Sequence, residues 1–319
     1  MFKKLLIPLD RSPLSEQAVG RAAAIARATR ASIDLILVHE PFGMPIDGPP
    51  ASDAQDAANE RQYLETVAAE LRSGASVSVT CTVLRGAASE MICERAKGIG
   101  ADLIVMTSRG RTGLGRMWLG SVADAVVRNS TVPVLMLRPE DRPSDRETAK
   151  HLFDHILVPL DGSDFAAEIL GPAADLAAAS AAELTLLRVV APVPLVSVYD
   201  VTVPLTYPPL IPDEAATQQV VGEVEAELDG IAHGLHERQR LTVRSEVIVN
   251  ERTPSSIINY ARGHDVDLIA MCTHGRGATR LLVGSVADAL LRGSDIPVLL
   301  QRPSRAALEA TTIRDATAA

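Results

Sequence analysis

The chain has 319 residues, of which 47% are hydrophobic and 22% charged; this ordinary globular usage excludes wholesale disorder and, at about 150 residues per domain, suggests two domains. Aromatic residues make up only 3%, too few for base-stacking platforms or aromatic sugar clefts. A net charge of −9 argues against a general nucleic-acid binder or a ligand of anionic membrane surfaces.

The first strand is expected in KKLLIPLD. Residues 14–30 then place Ala18, Ala22, Ile25, Ala26 and Thr29 at helical spacing. IDLILVH is a continuous apolar run of the kind found in buried parallel strands. A helix over 53–73, a strand in VSVTCTVL and a helix over 87–98 follow. ADLIVMT predicts a strand, 121–130 a helix and PVLML the last strand. Five strands alternating with four helices imply a doubly wound parallel sheet with right-handed crossovers. Strand orders 2-1-3-4-5 and 3-2-1-4-5 both fit this periodicity.

The polar segment EDRPSDRETAK (140–150) then reads as a linker, and beyond it the same pattern returns. LLIPLDRS (5–12) recurs as ILVPLDGS (156–163), and ADLIVMTSRG (101–110) as VDLIAMCTHG (266–275). LGSVADAVVRNSTVPVLMLRP (119–139) recurs as VGSVADALLRGSDIPVLLQRP (283–303). One domain is thus written twice: domain 1 over 1–141, linker 142–151, domain 2 over 152–304 and a flexible tail over 305–319. The second copy differs by an apolar insertion over 191–212 with six prolines, which preclude a helix or central strand. It reads either as a flap or partner-binding arm, or as a loop packed on its own or the sister domain. The strands after Pro133 and Pro297 would be exposed edges, so the halves should dock as a pseudo-dimer; a further homodimer is also expected.

Cysteines occur only at 81, 93 and 272, which suits a reducing cytosol rather than a disulfide or zinc framework. The opening MFKKLLIPLD lacks a long apolar core and cleavage site, and no apolar run reaches 18 residues. The expectation is a soluble cytoplasmic protein. Lysine occurs only at Lys3, Lys4, Lys97 and Lys150, none after a glycine-rich turn, so a Walker A loop is absent.

In open α/β sheets ligands bind beyond the carboxyl ends of the strands, and three features converge there. Asp10 and Asp161 end the first strand of each copy, able to meet a ribose or a Mg²⁺, or merely to shape a turn before Ser12 and Ser163. SRGRTGLGRMWLGS holds Arg109, Gly110, Arg111 and Arg116, while THGRGATRLLVGS holds His274, Gly275, Arg276 and Arg280. These are local cations in an acidic chain, suited to a polyphosphate. Gly120-Ser121 and Gly284-Ser285 open a helix, an anion seat by virtue of free N–H groups. Ser121 with Asp124, and Ser285 with Asp288, also resemble a capping box.

Together these motifs resemble the universal stress protein family in its tandem two-domain form: the V/I-P-x-D opening, the G-x2-G-x9-G-[S/T] loop, the GSVAD helix start and the final PVL strand. The resemblance implies a 3-2-1-4-5 sheet of the adenine nucleotide alpha hydrolase type, pairing through the last strand, and in some members a bound ATP or AMP. It places Asp10, Val38 and Glu40 beside the adenosine, with Gly110, Gly120 and Ser121 on the phosphates. In the second copy Asp161, Val189, Gly275, Gly284 and Ser285 take those places. Thr107 and Cys272 stand where the pattern has its first glycine, and the second loop is one residue short; the balance leans to the first site. The resulting expectation is an adenine-nucleotide-binding stress or signalling regulator, with Mg²⁺ accompanying the nucleotide. A slow ATP hydrolase at the same site ranks lower, since no residue obviously positions a water. An interaction scaffold that binds no nucleotide and recruits partners through 191–212 is the third reading. His233, His236 and Glu237 read as a solvated helical face rather than a metal site. Cys272, at a strand end beside His274, is a weak candidate for a stabilised thiolate.

Overall fold

The structure is a computed structural model that describes residues 1–40, 51–75, 77–108, 119–138, 152–195, 212–273 and 283–304. The linker 142–151, insertion residues 196–211 and the tail 305–319 lie outside the described residues, as do Arg109, Gly110, Arg111, Arg116, His274, Gly275, Arg276 and Arg280.

The first copy runs β1 (Lys4–Leu9), α1 (Pro13–Thr29), β2 (Ser32–His39), α2 (Ala51–Ala75), β3 (Val79–Arg85), α3 (Ala88–Gly98), β4 (Leu103–Thr107), α4 (Ser121–Asn129) and β5 (Val134–Leu137). The second runs β6 (His155–Pro159), α5 (Asp164–Ala167), α6 (Leu170–Ser180), β7 (Glu183–Val190), α7 (Glu214–Gln239), β8 (Val243–Val249), α8 (Thr253–Gly263), β9 (Leu268–Cys272), α9 (Ser285–Gly293) and β10 (Val298–Gln301). The strands form one sheet in the order β3-β2-β1-β4-β5-β10-β9-β6-β7-β8. Each half therefore has the order 3-2-1-4-5, which settles the choice that periodicity leaves open.

All pairings within a half are parallel. The seam between halves is antiparallel, with Val298 opposite Met136, Leu299 opposite Leu135 and Leu300 opposite Val134. The apolar strands are buried on both faces because helices cover both. Leu5, Ile7 and Leu9 point to one core with Ala18 and Leu64, whereas Leu6 points to another with Ile92, Ile104 and Val126. Each core continues across the seam: the first includes Leu184 and Leu228, the second Leu187 and Leu290.

The copies diverge after their first strand. α1 is unbroken: Ser12 Oγ accepts from Ser15 N at 3.1 Å and Pro13 presets the first turn. The equivalent segment in the second copy splits into α5 and α6. Pro172, lacking an N–H to bond back to Glu168, stops the helix there; Glu168 and Ile169 instead donate to Phe165 and Ala166 carbonyls three residues back.

The turn between β1 and α1 exposes a second difference. Arg11 has φ +65° and its counterpart Gly162 has φ +81°, a left-handed conformation that costs an L side chain about 1–2 kcal/mol. Arg11→Gly should therefore raise stability by about 0.5–1 kcal/mol, the relief being partly offset by the looser unfolded chain. Gly162→Ala should lower it by about 1 kcal/mol. Urea unfolding of both variants checks this, and a lowered midpoint for Arg11→Gly would show that the turn carries no strain.

Candidate functional site

The strand-end aspartates serve the turns they belong to. Ser12 N donates to Asp10 Oδ1 at 3.0 Å. In the second copy Ser163 N and Oγ both donate to Asp161 Oδ1, at 2.9 and 2.5 Å, while Ser163 Oγ caps α5 by accepting from Ala166 N at 3.2 Å. The helix caps are the serines, and each aspartate fixes its serine at the lip of the sheet.

At the end of β2, Val38 sits in the partly buried margin of the core. Glu40 acts structurally, its Oε1 accepting from Ala88 N at 3.0 Å and so capping α3, whose N-cap residue Ala87 has no side-chain acceptor. His39 Nδ1 lies 3.0 Å from Oε1 of the buried Glu60 on α2. The second copy replaces this arrangement. Val190 stands at the position of His39 and, with Leu228 aligned on Leu64 and Leu235 on Leu71, Val224 stands at that of Glu60. An ion pair appears one pleat away instead. Arg188, at the position of Leu37, donates through Nη2 to Glu227 at 2.9 Å and is 5% exposed.

The GSVAD segments begin α4 and α9. The N-caps are Gly120 and Gly284, which supply no side-chain acceptor, so the serines occupy the first helical position with exposed side chains. The capping-box expectation is overturned. Asp124 lies one residue beyond the position a box requires and accepts from Arg128, with Nε at 2.8 Å and Nη2 at 3.0 Å. Asp288 accepts likewise from Arg292 Nε at 3.0 and 2.9 Å. With no capping side chain among the described residues, the first-turn N–H groups at the positive end of each helix dipole are left for another acceptor. Gly120 N donates to Ser108 O at 2.8 Å and Gly284 N to Thr273 O at 2.7 Å, which ties each helix start to its β4 or β9 strand end.

In the second half these pieces enclose a cavity of about 1110 Å³ at the carboxyl ends of β6, β7 and β9. It brings together Asp161, Val189, Cys272, Gly284 and Ser285 from the sequence-based set. Val220 and Val224 of α7 line it as well, in the space that the His39–Glu60 exchange leaves apolar. Three arginines also line it: Arg188, Arg292 and, from the first half, Arg128. Sequence reasoning missed all three, because Arg188 hides in an apolar strand and the other two look like ordinary i,i+4 surface pairs. Beside the cavity, the ends of the proline-rich insertion are pinched together. Pro194 bridges Pro212, and Asp213 N donates to Val193 O at 2.7 Å; Asp213 then caps α7 through Ala216 N at 2.9 Å. In the first half, Asp10, Val38, Thr107, Gly120 and Ser121 occupy the corresponding strand and helix ends.

Comparison with known proteins gives a consistent picture. A model of the universal stress protein family matches residues 1–138 and again 152–302. A universal stress protein of Methanocaldococcus jannaschii is 34% identical over 141 residues, 43% of this chain and 83% of that protein. One from Mycobacterium tuberculosis is 32% identical over 206 residues, 64% of this chain; the match spans 63% of that protein's length. Among solved structures, a universal stress protein from Archaeoglobus fulgidus superposes with a TM-score of 0.67 at 18% identity, covering 94% of this chain and 98% of that one. A functionally unknown protein from Pseudomonas aeruginosa gives 0.64 at 18%, covering 98% and 96%. At that identity these two establish the shared fold.

The thiolate reading of Cys272 fails on electrostatics. Burial, with Glu168 and Asp161 adding like charge, pushes its thiol up to about 12 from 9.0, and Cys81 is pushed up to about 11, again chiefly by burial. A shift of 12 − 9 leaves roughly a thousandfold less thiolate at pH 8. Native Cys272 should therefore resist iodoacetamide at pH 8 and be labelled rapidly once the chain is unfolded. The sign of the linkage follows: a folded-state pKa raised above the unfolded value contributes stability below pH 9 that is lost as pH rises toward 12. Denaturation midpoints measured from pH 8 to pH 11 should fall, and should fall less in Cys272→Ala measured against its own pH 8 value.

Proposed function

The chain belongs to the universal stress protein family, and from that premise we propose that it binds an adenine nucleotide, ATP or AMP, and regulates a stress or signalling response through its choice of partner. The observation that carries this reading is the cavity, where Asp161, Val189, Gly284 and Ser285 meet around about 1110 Å³. That space accommodates a nucleotide, since small-molecule sites typically run from about 300 to 1,000 Å³. The uncapped first turn of α9 fits an anion: Gly284 provides no side-chain acceptor, so phosphate oxygens would receive those N–H groups and the Ser285 hydroxyl. Val189 would border the base, Asp161 would face the ribose, and Cys272 would lie close to it. A Mg²⁺ would sit with the phosphates, neutralising their charge.

The first half would offer an equivalent seat at Asp10, Val38, Glu40, Thr107, Gly120 and Ser121, with Arg109, Gly110 and Arg111 in its loop. His274, Gly275 and Arg276 hold the same loop positions in the second. The pairing of β5 with β10 supports the intramolecular pseudo-dimer. Because those strands pair with each other, a homodimer of this chain would use other surfaces. The insertion, whose ends meet beside the cavity at Pro194 and Pro212, would report occupancy to a partner. Among the described residues no helix is long and apolar enough to cross a membrane, and we assign the protein to the cytoplasm.

The test is to denature freshly purified protein, identify released nucleotide by chromatography, and titrate stripped protein with ATP and Mg²⁺. We expect one or two nucleotides per chain and a loss of about tenfold in affinity for Ser285→Ala, the cost of a hydrogen bond to a charged group. No released nucleotide and no uptake on titration would remove the nucleotide reading and leave a partner-binding protein.

A further inference from the structure

The crossovers run each helix antiparallel to its strands, so the antiparallel β5–β10 seam also sets α4 and α9 antiparallel. The C-terminal turn of each helix therefore lies beside the first turn of the other. Arg128 of α4 feels the charge of Asp288 in the first turn of α9, and Arg292 that of Asp124 in the first turn of α4; each arginine's pKa is raised chiefly by the hydrogen bond to its own aspartate, Asp124 or Asp288, and further by the facing carboxylate. The consequence shows in the lining of the second cavity: Arg128, a residue of the first domain, lines it together with Gly284, Ser285 and Asp288. Arg138 of the first domain holds α9 in place from the other end, donating from Nη2 to the carbonyls of Leu290, at 3.2 Å, and Leu291.

One further observation points to an anionic occupant, and a second sets this cavity apart from the first half. Asp124 engages only Nε and Nη2 of Arg128, two of five N–H donors. Arg188, also in the cavity lining and 5% exposed, keeps an Nε–H with no hydrogen-bond partner among the described residues. That Nε–H is sealed from the cavity, so it is the guanidinium charge, held by Glu227, that Arg188 adds to the lining, where the matching position in the first copy is Leu37.

We propose that the second cavity is a polyphosphate site built by both domains, in which phosphates seated on Gly284 and Ser285 are also held by Arg128 of the first domain. Arg128 is then a positioning residue supplied across the seam, and a bound polyphosphate clamps α4 against α9. This inference rests on the reading of the second cavity as a nucleotide site, and it specifies which part of the ligand the sister domain recognises. Four acids, Asp124, Asp161, Asp288 and Glu227, outnumber the three arginines, so the site takes a highly charged anion through N–H donors, with Mg²⁺ alongside, rather than by net charge.

The experiment titrates the full chain with inorganic tripolyphosphate and, separately, with ATP, by calorimetry at low and moderate salt. Arg128→Gln should weaken tripolyphosphate about tenfold and flatten the salt dependence, Arg128→Lys should restore part of the loss, and Asp124→Asn with Arg128→Gln should reproduce it without leaving an unpaired carboxylate. Arg128→Gln combined with Ser285→Ala should lose less than the product of the single effects, while combination with Ser121→Ala should be multiplicative. ATP binding that is indifferent to Arg128 would overturn the proposal and leave the nucleotide reading standing. Tripolyphosphate binding that depends on Arg128, with no ATP binding, would do the reverse. Coupling of Arg128 to Ser121 in place of Ser285 would also overturn it.

Discussion

The three residue pairs where β5 meets β10 govern more of this molecule than their number suggests. Val134, Leu135 and Met136 face Leu300, Leu299 and Val298 across an antiparallel seam, and that seam abolishes the two edges that would otherwise be most exposed. Once the strands are antiparallel there, a pseudo-two-fold axis is imposed on everything else. Both cores continue across it, and α4 and α9 must pass each other in opposite directions. The outer edges that remain, β3 and β8, are partly shielded by charge: Arg85 ends one, and Arg244 and Glu246 punctuate the other. A chain whose halves were merely tethered by residues 142–151 would have no reason to place Arg138 against the carbonyls of α9, or Arg21 over the ring of Phe153 at 5.1 Å.

Much of this architecture is legible in the sequence, for a physical reason. Strands buried on both faces must be apolar throughout, so KLLIPL, SIDLILVH and LIVMT declare themselves, as do their repeats. What periodicity cannot supply is the order of strands, which depends on which helix faces fit together; the family resemblance supplies it. The repeat itself misleads at α5 and α6. Reading the second copy as a duplicate of the first passes over Gly171-Pro172, although proline's missing N–H is a local signal that the helix must break.

The site is less legible, for two different reasons. The Ser-x-x-Asp pattern in GSVAD reads as a capping box only if serine is the cap. The structure caps with glycine, which shifts Asp124 and Asp288 by one residue and hands them to arginines one turn later. Glu40, which the resemblance places beside the adenosine, also caps α3. Arg188 passes unnoticed because its partner Glu227 is 39 residues away and nothing local distinguishes it from its apolar neighbours. A polar residue whose partner is distant in sequence is invisible to windowed reading, and Arg188 is one of those that line the cavity.

The same reasoning explains how one domain written twice holds two different pockets. Replacing only His39 by valine would strand Glu60 without a partner, and replacing only Leu37 by arginine would bury an unpaired cation. The second copy changes both members in each case. Val190 meets Val224 where His39 meets Glu60, and Arg188 meets Glu227 where Leu37 and Tyr63 stand. Each exchange is tolerable because it is paired, and together they exchange a polar patch deep at the strand ends for an apolar wall with a guanidinium beside it. In a dimer of identical chains such changes would appear on both sides of the axis at once. Covalent duplication lifts that constraint: the seam keeps the two-fold geometry that brings α4 to the second cavity, while each pocket is free to change its own lining.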